Sequence, residues 1–137
     1  MKKMYFFTIV LIAAITIAFL LYSRDEDALA REFLSGYGIR IEEKPCLSES
    51  FVIPCEFDSA YDSYNMMQIE SGLDLVPHKG EKAVRRTYRI TNFSQSAEEV
   101  FANVIFVNNT PVAGDINCPS LSGFILPLSY MLTKGTE

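Results

Sequence analysis

Three arginines that lie close together are the densest group of side chains able to bind a charged ligand. Arg85, Arg86 and Arg89 fall in a segment that alternates apolar and polar residues, a pattern typical of a half-buried strand. Arg85 and Arg89 share one face of this strand with Thr87, and a guanidinium can bind a carboxylate or a phosphate through parallel hydrogen bonds. We therefore predict that Arg85 and Arg89 bind an anionic ligand or an acidic partner segment. The alternative is that they pair with acidic residues on neighbouring strands or helices.

One carboxylate and one carboxamide interrupt otherwise apolar segments. Asp115 follows Gly114 in the run 112–116, where burial would raise the pKa of the carboxyl group and suit it to acid–base chemistry. The alternative for Asp115 is structural, with the carboxylate accepting hydrogen bonds from backbone amides at a β-bulge. Asn103 lies inside the apolar run 100–107 and is predicted to contact a ligand, with structural hydrogen bonding as its alternative.

An aromatic stripe on a predicted helix over residues 58–71 is the third candidate surface. Phe57, Tyr61 and Tyr64 repeat at helical spacing, which favours a face packed on the core. A ligand groove along this stripe is the alternative. The same region carries two further amides with the same two interpretations as Asn103, namely Asn65 and Gln68.

The cysteines and the single histidine limit the covalent and metal chemistry that the chain can perform. Cys46 and Cys55 enclose a short segment and are predicted to form a disulfide, which an oxidising compartment permits. Cys118 is left over as a buried thiol, a partner in a different pairing or an intermolecular link. His78 lacks the neighbouring groups that a nucleophilic triad or a zinc site needs. We therefore expect no metal, no cofactor and no enzymatic activity.

The charge balance argues against nucleic acid as a partner. The chain has 12 Lys plus Arg and 17 Asp plus Glu, and Lys2 and Lys3 precede the apolar N-terminal segment. The residues after that segment therefore carry 10 bases and 17 acids, a net charge of −7. Such a surface repels phosphate backbones.

The N-terminal segment is predicted to anchor the chain in a membrane. Residues 5–22 contain no charge, proline or glycine, and as a helix they would span about 27 Å. The two preceding lysines place the N-terminus in the cytoplasm by the positive-inside rule. We predict a single-pass signal anchor in the cell membrane, with residues 1–24 as tip and anchor and residues 25–137 as the extracytoplasmic domain. A cleaved signal peptide is the alternative.

The rest of the chain is long enough for one domain, and its periodicity predicts the class α+β. Helical patterns cover residues 25–35 and 58–71. A loop, or a strand pair interrupted by two prolines, is expected over 43–54. Strand patterns cover 39–42, 83–90, 100–107 and 112–116, and an apolar element over 123–128 closes the core. We predict an antiparallel sheet of about four strands with the two helices packed on one face.

An ordered set of short motifs spreads over most of this domain. It includes Tyr37-Gly38, Ile53-Pro54, Phe57-Asp58, Gly72 to Leu75, Arg85 to Tyr88, Ala102 to Val104 and Gly114-Asp115. The set resembles a small bacterial family of membrane-anchored proteins, seen mainly in clostridia-like Firmicutes and classed as a domain of unknown function. The resemblance implies a single α+β domain outside the cytoplasm, and it transfers no catalytic residue.

Three functional classes are compatible with these observations. We favour a non-enzymatic protein-interaction or sensing module, in which an exposed sheet edge could take an added strand from a protein partner outside the cytoplasm. The alternative is a small-molecule or cell-wall-fragment binding domain, with the arginine face or the tyrosine stripe lining a concave pocket. The third class is a hydrolase that acts through Asp115 and a second carboxylate in the same cleft.

Overall fold

The computed structural model describes residues 1–22 and 25–134, with the backbone alone described for residues 19–22. The predicted boundary after residue 24 and the chain end beyond residue 134 lie outside the described residues. The helices are α1 (Lys2–Tyr22), α2 (Glu26–Ser35), α3 (Ser59–Glu70) and α4 (Tyr130–Lys134), with a short 3-10 helix at Val76–His78. The strands are β1 (Leu47–Val52), β2 (Lys82–Arg89), β3 (Phe101–Val107), β4 (Thr110–Cys118) and β5 (Phe124–Leu126).

The N-terminal prediction needs a correction. A membrane-spanning helix needs about 20 consecutive, predominantly apolar residues. No helix in the described parts of the chain combines the length and the apolarity that a membrane crossing requires. The transmembrane helix predicted over residues 5–22 is therefore wrong.

The sheet has five antiparallel strands in the order β1-β2-β3-β4-β5, so the class α+β is confirmed and the strand count is corrected. Two observed strands were not predicted as strands. Strand β1 lies inside the segment predicted as a loop or as a strand pair interrupted by two prolines, and β5 lies inside the apolar element predicted over 123–128. Pro45 and Pro54 flank β1 and do not interrupt its ladder, and its residues are mostly exposed because it is an edge strand. The strand predicted over 39–42 reduces to a single bridge between Ile41 and Ile90.

The two faces of the sheet are covered by different helices. The α2 face carries buried side chains that pack with Ala30 and Leu34 of α2, namely Tyr88, Ala102, Val104, Phe106 and Ile116. The α3 face carries a second buried cluster that packs with Phe57 and Tyr64, namely Ala83, Ile105, Val107, Val112 and Ala113. The prediction that both helices pack on one face is therefore wrong. Strand β3 is apolar on both faces, so each face requires its own cover.

Polar residues fix the starts of the two domain helices. Asp25 caps α2, and Asp58 caps α3 by accepting a hydrogen bond from the Tyr61 amide at 2.9 Å. The buried carboxylate of Asp27 then ties α2 to β2. It accepts hydrogen bonds from Arg86 at 3.0 Å and from the Tyr88 hydroxyl at 2.7 Å.

A register shift in the β3–β4 hairpin decides which face each β4 side chain meets. Phe106 pairs with Pro111, but Ile105 pairs with Ala113, so Val112 is an extra residue in β4. Beyond the shift Asp115 lies opposite Asn103 on the α3 face. Without it, the continued register would place Asp115 opposite Ala102 on the α2 face.

The predicted disulfide is not formed. Cys46 and Cys55 are both free and exposed, and the whole of β1 lies between them. Six extended residues span roughly 20 Å, whereas a disulfide needs Cα atoms within about 7 Å. Cys118 is a buried free thiol that donates a hydrogen bond to Glu98 Oε2 at 3.3 Å.

Thiol labelling of the native chain tests this arrangement. We expect Cys46 and Cys55 to react rapidly with iodoacetamide and Cys118, which is 5% exposed, to react only after unfolding in urea. Intact mass spectrometry counts the adducts, and peptide mapping assigns them. Labelling of Cys118 alone, with loss of two hydrogens from the protein mass, would show that the Cys46–Cys55 bridge exists.

Candidate functional site

The α3 face is apolar at one end and polar at the other. Helix α3 has 12 residues, about 18 Å of length, and it packs over the apolar end. The polar end stays open and forms a cleft of about 880 Å³ between α3 and the sheet, with β5 at one side. Its polar lining includes Glu49, Ser50, Tyr61, Tyr64, Arg85, Asn103, Asp115 and Asn117.

Asn103, Asp115 and Asn117 form the polar floor of this cleft, and Thr87 extends their cross-strand row beyond the lining. Thr87 lies opposite Asn103, which lies opposite Asp115. The Thr87 hydroxyl is 2.6 Å from Asn103 Oδ1, and Asn103 Nδ2 donates to Asp115 Oδ1 at 3.1 Å. Asn117 Nδ2 also donates to Asp115 Oδ1, at 3.2 Å, and the Tyr64 hydroxyl donates to Oδ2 at 2.7 Å. Asp115 is therefore the centre of the floor.

Burial dominates the electrostatics of Asp115. The residue is 4% exposed, and this burial raises the pKa of its carboxyl group above the ordinary aspartate value. Hydrogen bonds from Tyr64, Asn117 and Asn103 and the charge of Arg85 act in the opposite direction without cancelling the effect of burial. Burial also raises the pKa of Tyr64 well above its usual value, so its hydroxyl remains a donor across the physiological range.

The structure separates the arginines that the sequence grouped together. Arg85 lies in the cleft, where its Nε donates to Glu49 Oε2 at 3.2 Å and its Nη2 contacts the same oxygen. Arg89 lies on the same strand face outside the cleft, with Nη1 at 2.7 Å from Glu99 Oε1 and Nε at 3.7 Å from Glu42 Oε1. Each guanidinium thus has a carboxylate partner, which is the alternative that the acidic composition left open.

Asp115 and Asn103 are brought together, although by different contacts from those predicted. The carboxylate of Asp115 is held by side chains and not by the backbone amides of a bulge. The two other amides have structural contacts. Asn65 Oδ1 accepts from the Leu75 amide at 2.7 Å, and Gln68 Oε1 accepts from the Gly114 amide at 2.9 Å.

The aromatic stripe contributes both to the core and to the cleft wall, and Tyr64 belongs to both. Tyr64 packs against the α3-face cluster, whereas Tyr61 lines the cleft and stacks on Phe57 with ring centroids 5.2 Å apart. Phe51 of β1 and Phe124 of β5 line the cleft at other positions. The cleft therefore combines aromatic walls with a hydrogen-bonding floor.

Asn117 and Glu49 are polar residues of the cleft that were not singled out in the sequence. Asn117 stands two residues after Asp115, and in an extended strand this spacing puts both side chains on one face. That signal was present in the sequence. Glu49 lies in a segment without a clear strand pattern, so its position opposite Arg85 follows only from the observed pairing of β1 with β2.

A metal site needs several ligating side chains that converge on one point, and they can be sought in the part of the chain that the structure describes. No group of three or more His, Cys, Asp or Glu side chains is arranged there to hold a metal ion. The Nδ1 atom of His78 lies 3.5 Å from Glu81 Oε2.

Comparison with known proteins identifies the family. The family model described as "Domain of unknown function (DUF4830)" matches residues 33–116, which is more than half of the chain. The chain belongs to this family. The DUF4830 segment contains Tyr64, Arg85, Asn103 and Asp115, but it ends before Asn117 and β5. The match confirms the predicted resemblance to a domain of unknown function and carries no statement about bacterial origin or membrane anchoring. No curated protein and no solved structure matches the chain.

The Asp115→Asn variant tests the electrostatics of the cleft floor. Because the pKa of Asp115 is raised on folding, the folded state binds this proton more tightly than the unfolded state. Stability contributed by this group therefore falls as pH rises from the ordinary value of 3.8 through the raised pKa. The asparagine variant lacks this loss. The urea midpoint of the variant minus that of the wild type should therefore increase as the pH rises from about 3.5 to 7.

Asp62→Asn, which removes an exposed aspartate of α3, controls for the loss of one surface carboxylate. A difference between Asp115→Asn and wild type that stays constant with pH, or that favours the wild type at higher pH, would contradict the assignment.

Proposed function

We propose that this DUF4830 protein is a non-enzymatic binding module that holds a small organic ligand in the cleft. The observation that carries the proposal is the position of Asp115. A buried carboxylate, oriented by Tyr64, Asn103 and Asn117, lies on the floor of an open cleft of about 880 Å³. Concave sites with apolar walls and a few convergent polar groups are the usual form of small-molecule sites.

The charges of the cleft favour an uncharged or positively charged ligand. Arg85 is neutralised by Glu49, so the guanidinium does not offer an unpaired positive charge to an anion. Asp115 adds a buried carboxylate, and its neighbour Asn117 adds an amide. Tyr61, whose hydroxyl group can both donate and accept a hydrogen bond, also belongs to the lining. A ligand rich in hydroxyl and amide groups, such as a cell-wall saccharide or a muramyl peptide, matches this mixture of donors and acceptors.

Two predictions from the sequence stay open beside this proposal. An extracytoplasmic location suits a cell-wall ligand, and it stays a prediction. The predicted hydrolase, which is the other open prediction, requires a second carboxylate near Asp115. Glu49 lines the same cleft, but Arg85 occupies its carboxylate, so a hydrolytic role would need that ion pair to open.

A thermal-shift screen of the full-length chain tests the proposal. The probes are N-acetylated amino sugars and muramyl peptides at millimolar concentration. At saturation a true ligand should raise the unfolding midpoint by at least about 3 °C. Tyr61→Ala, which removes an aromatic wall of the cleft, should abolish most of that shift.

Met66→Ala is the matched control, since Met66 lies on α3 and is 70% exposed outside the cleft lining. Equal shifts in the two variants would place the ligand elsewhere, and no shift with any probe would remove this ligand class. Mass spectrometry of the recovered probe should show it unchanged. Cleaved probe would replace the binding role with a hydrolytic one.

A further inference from the structure

The outermost strand β1 has properties that sheet edges usually avoid. Natural edge strands are kept short, or carry proline, a bulge or an unpaired charge, because a free edge recruits other strands. The opposite edge follows this rule, since β5 has three residues and is followed by Pro127. Strand β1 has six residues, no proline, and an exposed surface along nearly its whole length. Among the described residues, no further strand pairs with it.

Hydrogen bonds on both sides of β2 show which backbone groups of β1 are unpaired. The Ile53 amide donates to Glu81 at 2.9 Å, and the Ile90 amide donates to Val100 at 2.9 Å. In an antiparallel ladder the bonding direction alternates from residue to residue. The odd-numbered residues of β1 therefore bond to β2. The amides and carbonyls that point away from the sheet belong to Ser48, Ser50 and Val52.

The charged residue of β1 does not prevent another strand from pairing with this edge. Glu49 is the one charged residue within the strand, and Arg85 of β2 binds its carboxylate from the sheet side. The side chains of Ser48 and Ser50 are small and neutral. An approaching strand would therefore meet neither a bulky group nor an unpaired charge along β1.

Cavities lie next to β1 on both faces of the sheet. On the α3 face the cleft reaches Glu49 and Phe51. On the α2 face a shallow cavity of about 640 Å³ is lined by residues that include Val52, Val84 and Phe106. Successive side chains of an added strand point to opposite faces, so they would lie alternately beside these two cavities.

We propose that β1 is the docking edge for an extended segment of a partner protein, which adds to the sheet as a sixth strand. This site is distinct from the floor of the cleft and goes beyond the small-molecule proposal. The segment has no proline at its pairing positions. Its side chains toward Val52 and Val84 are apolar, and those toward the Glu49–Arg85 ion pair are polar. The net charge of −7 after the N-terminal segment favours a partner segment that is basic overall.

Selection of displayed random peptides of about 12 residues on the full-length chain tests the proposal. Ser50→Pro removes the outward-facing amide of Ser50, and a proline is tolerated where the N–H of an edge strand faces solvent. Selected peptides should bind this variant at least about tenfold more weakly than wild type. Ser50→Ala keeps the amide and should bind like wild type.

Two measurements keep the test decisive if Ser50→Pro folds poorly. Peptides N-methylated at alternate amides should lose binding to the wild-type chain. Hydrogen exchange followed by NMR should show slower exchange of the Ser48, Ser50 and Val52 amides when peptide is bound.

Three outcomes would overturn the proposal. One is a selection that yields no binding peptide. Another is binding that survives both Ser50→Pro and N-methylation. The third is binding that Tyr61→Ala abolishes and Ser50→Pro leaves intact, which would place the peptide in the cleft.

Discussion

One extra residue in β4 is the constraint on which the site depends. Val112 shifts the register of the β3–β4 hairpin by one position, and a one-residue shift moves every later side chain to the other face. Asp115 and Asn117 therefore face α3 beside Asn103, while Gly114 and Ile116 face α2. With the unshifted register, Asp115 would lie within the apolar layer under α2, where no row of amides could receive it.

The cleft exists because α3 covers only part of the face that this register creates. The apolar end of the α3 face packs beneath the helix together with Ile53 and Leu75. The hydrogen bond from Tyr64 to Asp115 holds α3 at the border between the apolar and the polar end. The position of α3 thus covers the apolar end of the face and leaves the polar floor accessible beside the helix. Strands β1 and β5 form the lateral walls of the cleft.

Local patterns predicted the elements, whereas the site depends on pairings that no local pattern contains. The capped helices after Asp25 and Asp58 and the central strand β3 follow from spacing alone. The sequence left residues 43–54 open between a loop and an interrupted strand pair, because half of the residues of β1 are polar and two prolines flank it. The meeting of Asp115 with Asn103 required the register shift at Val112. The different positions of Arg85 and Arg89 could not be predicted, because their carboxylate partners come from other segments of the chain, Glu49 for Arg85 and Glu42 and Glu99 for Arg89.

A crystallographic fragment screen of the full-length chain tests the central claim most directly, because it shows where small polar molecules settle. The account predicts that hydroxyl- and amide-bearing fragments cluster in the cleft, within hydrogen-bonding distance of Asp115 or Asn117 and against Tyr61. A cleft that stays empty while the same fragments occupy other surfaces would contradict the assignment of this face as the functional site.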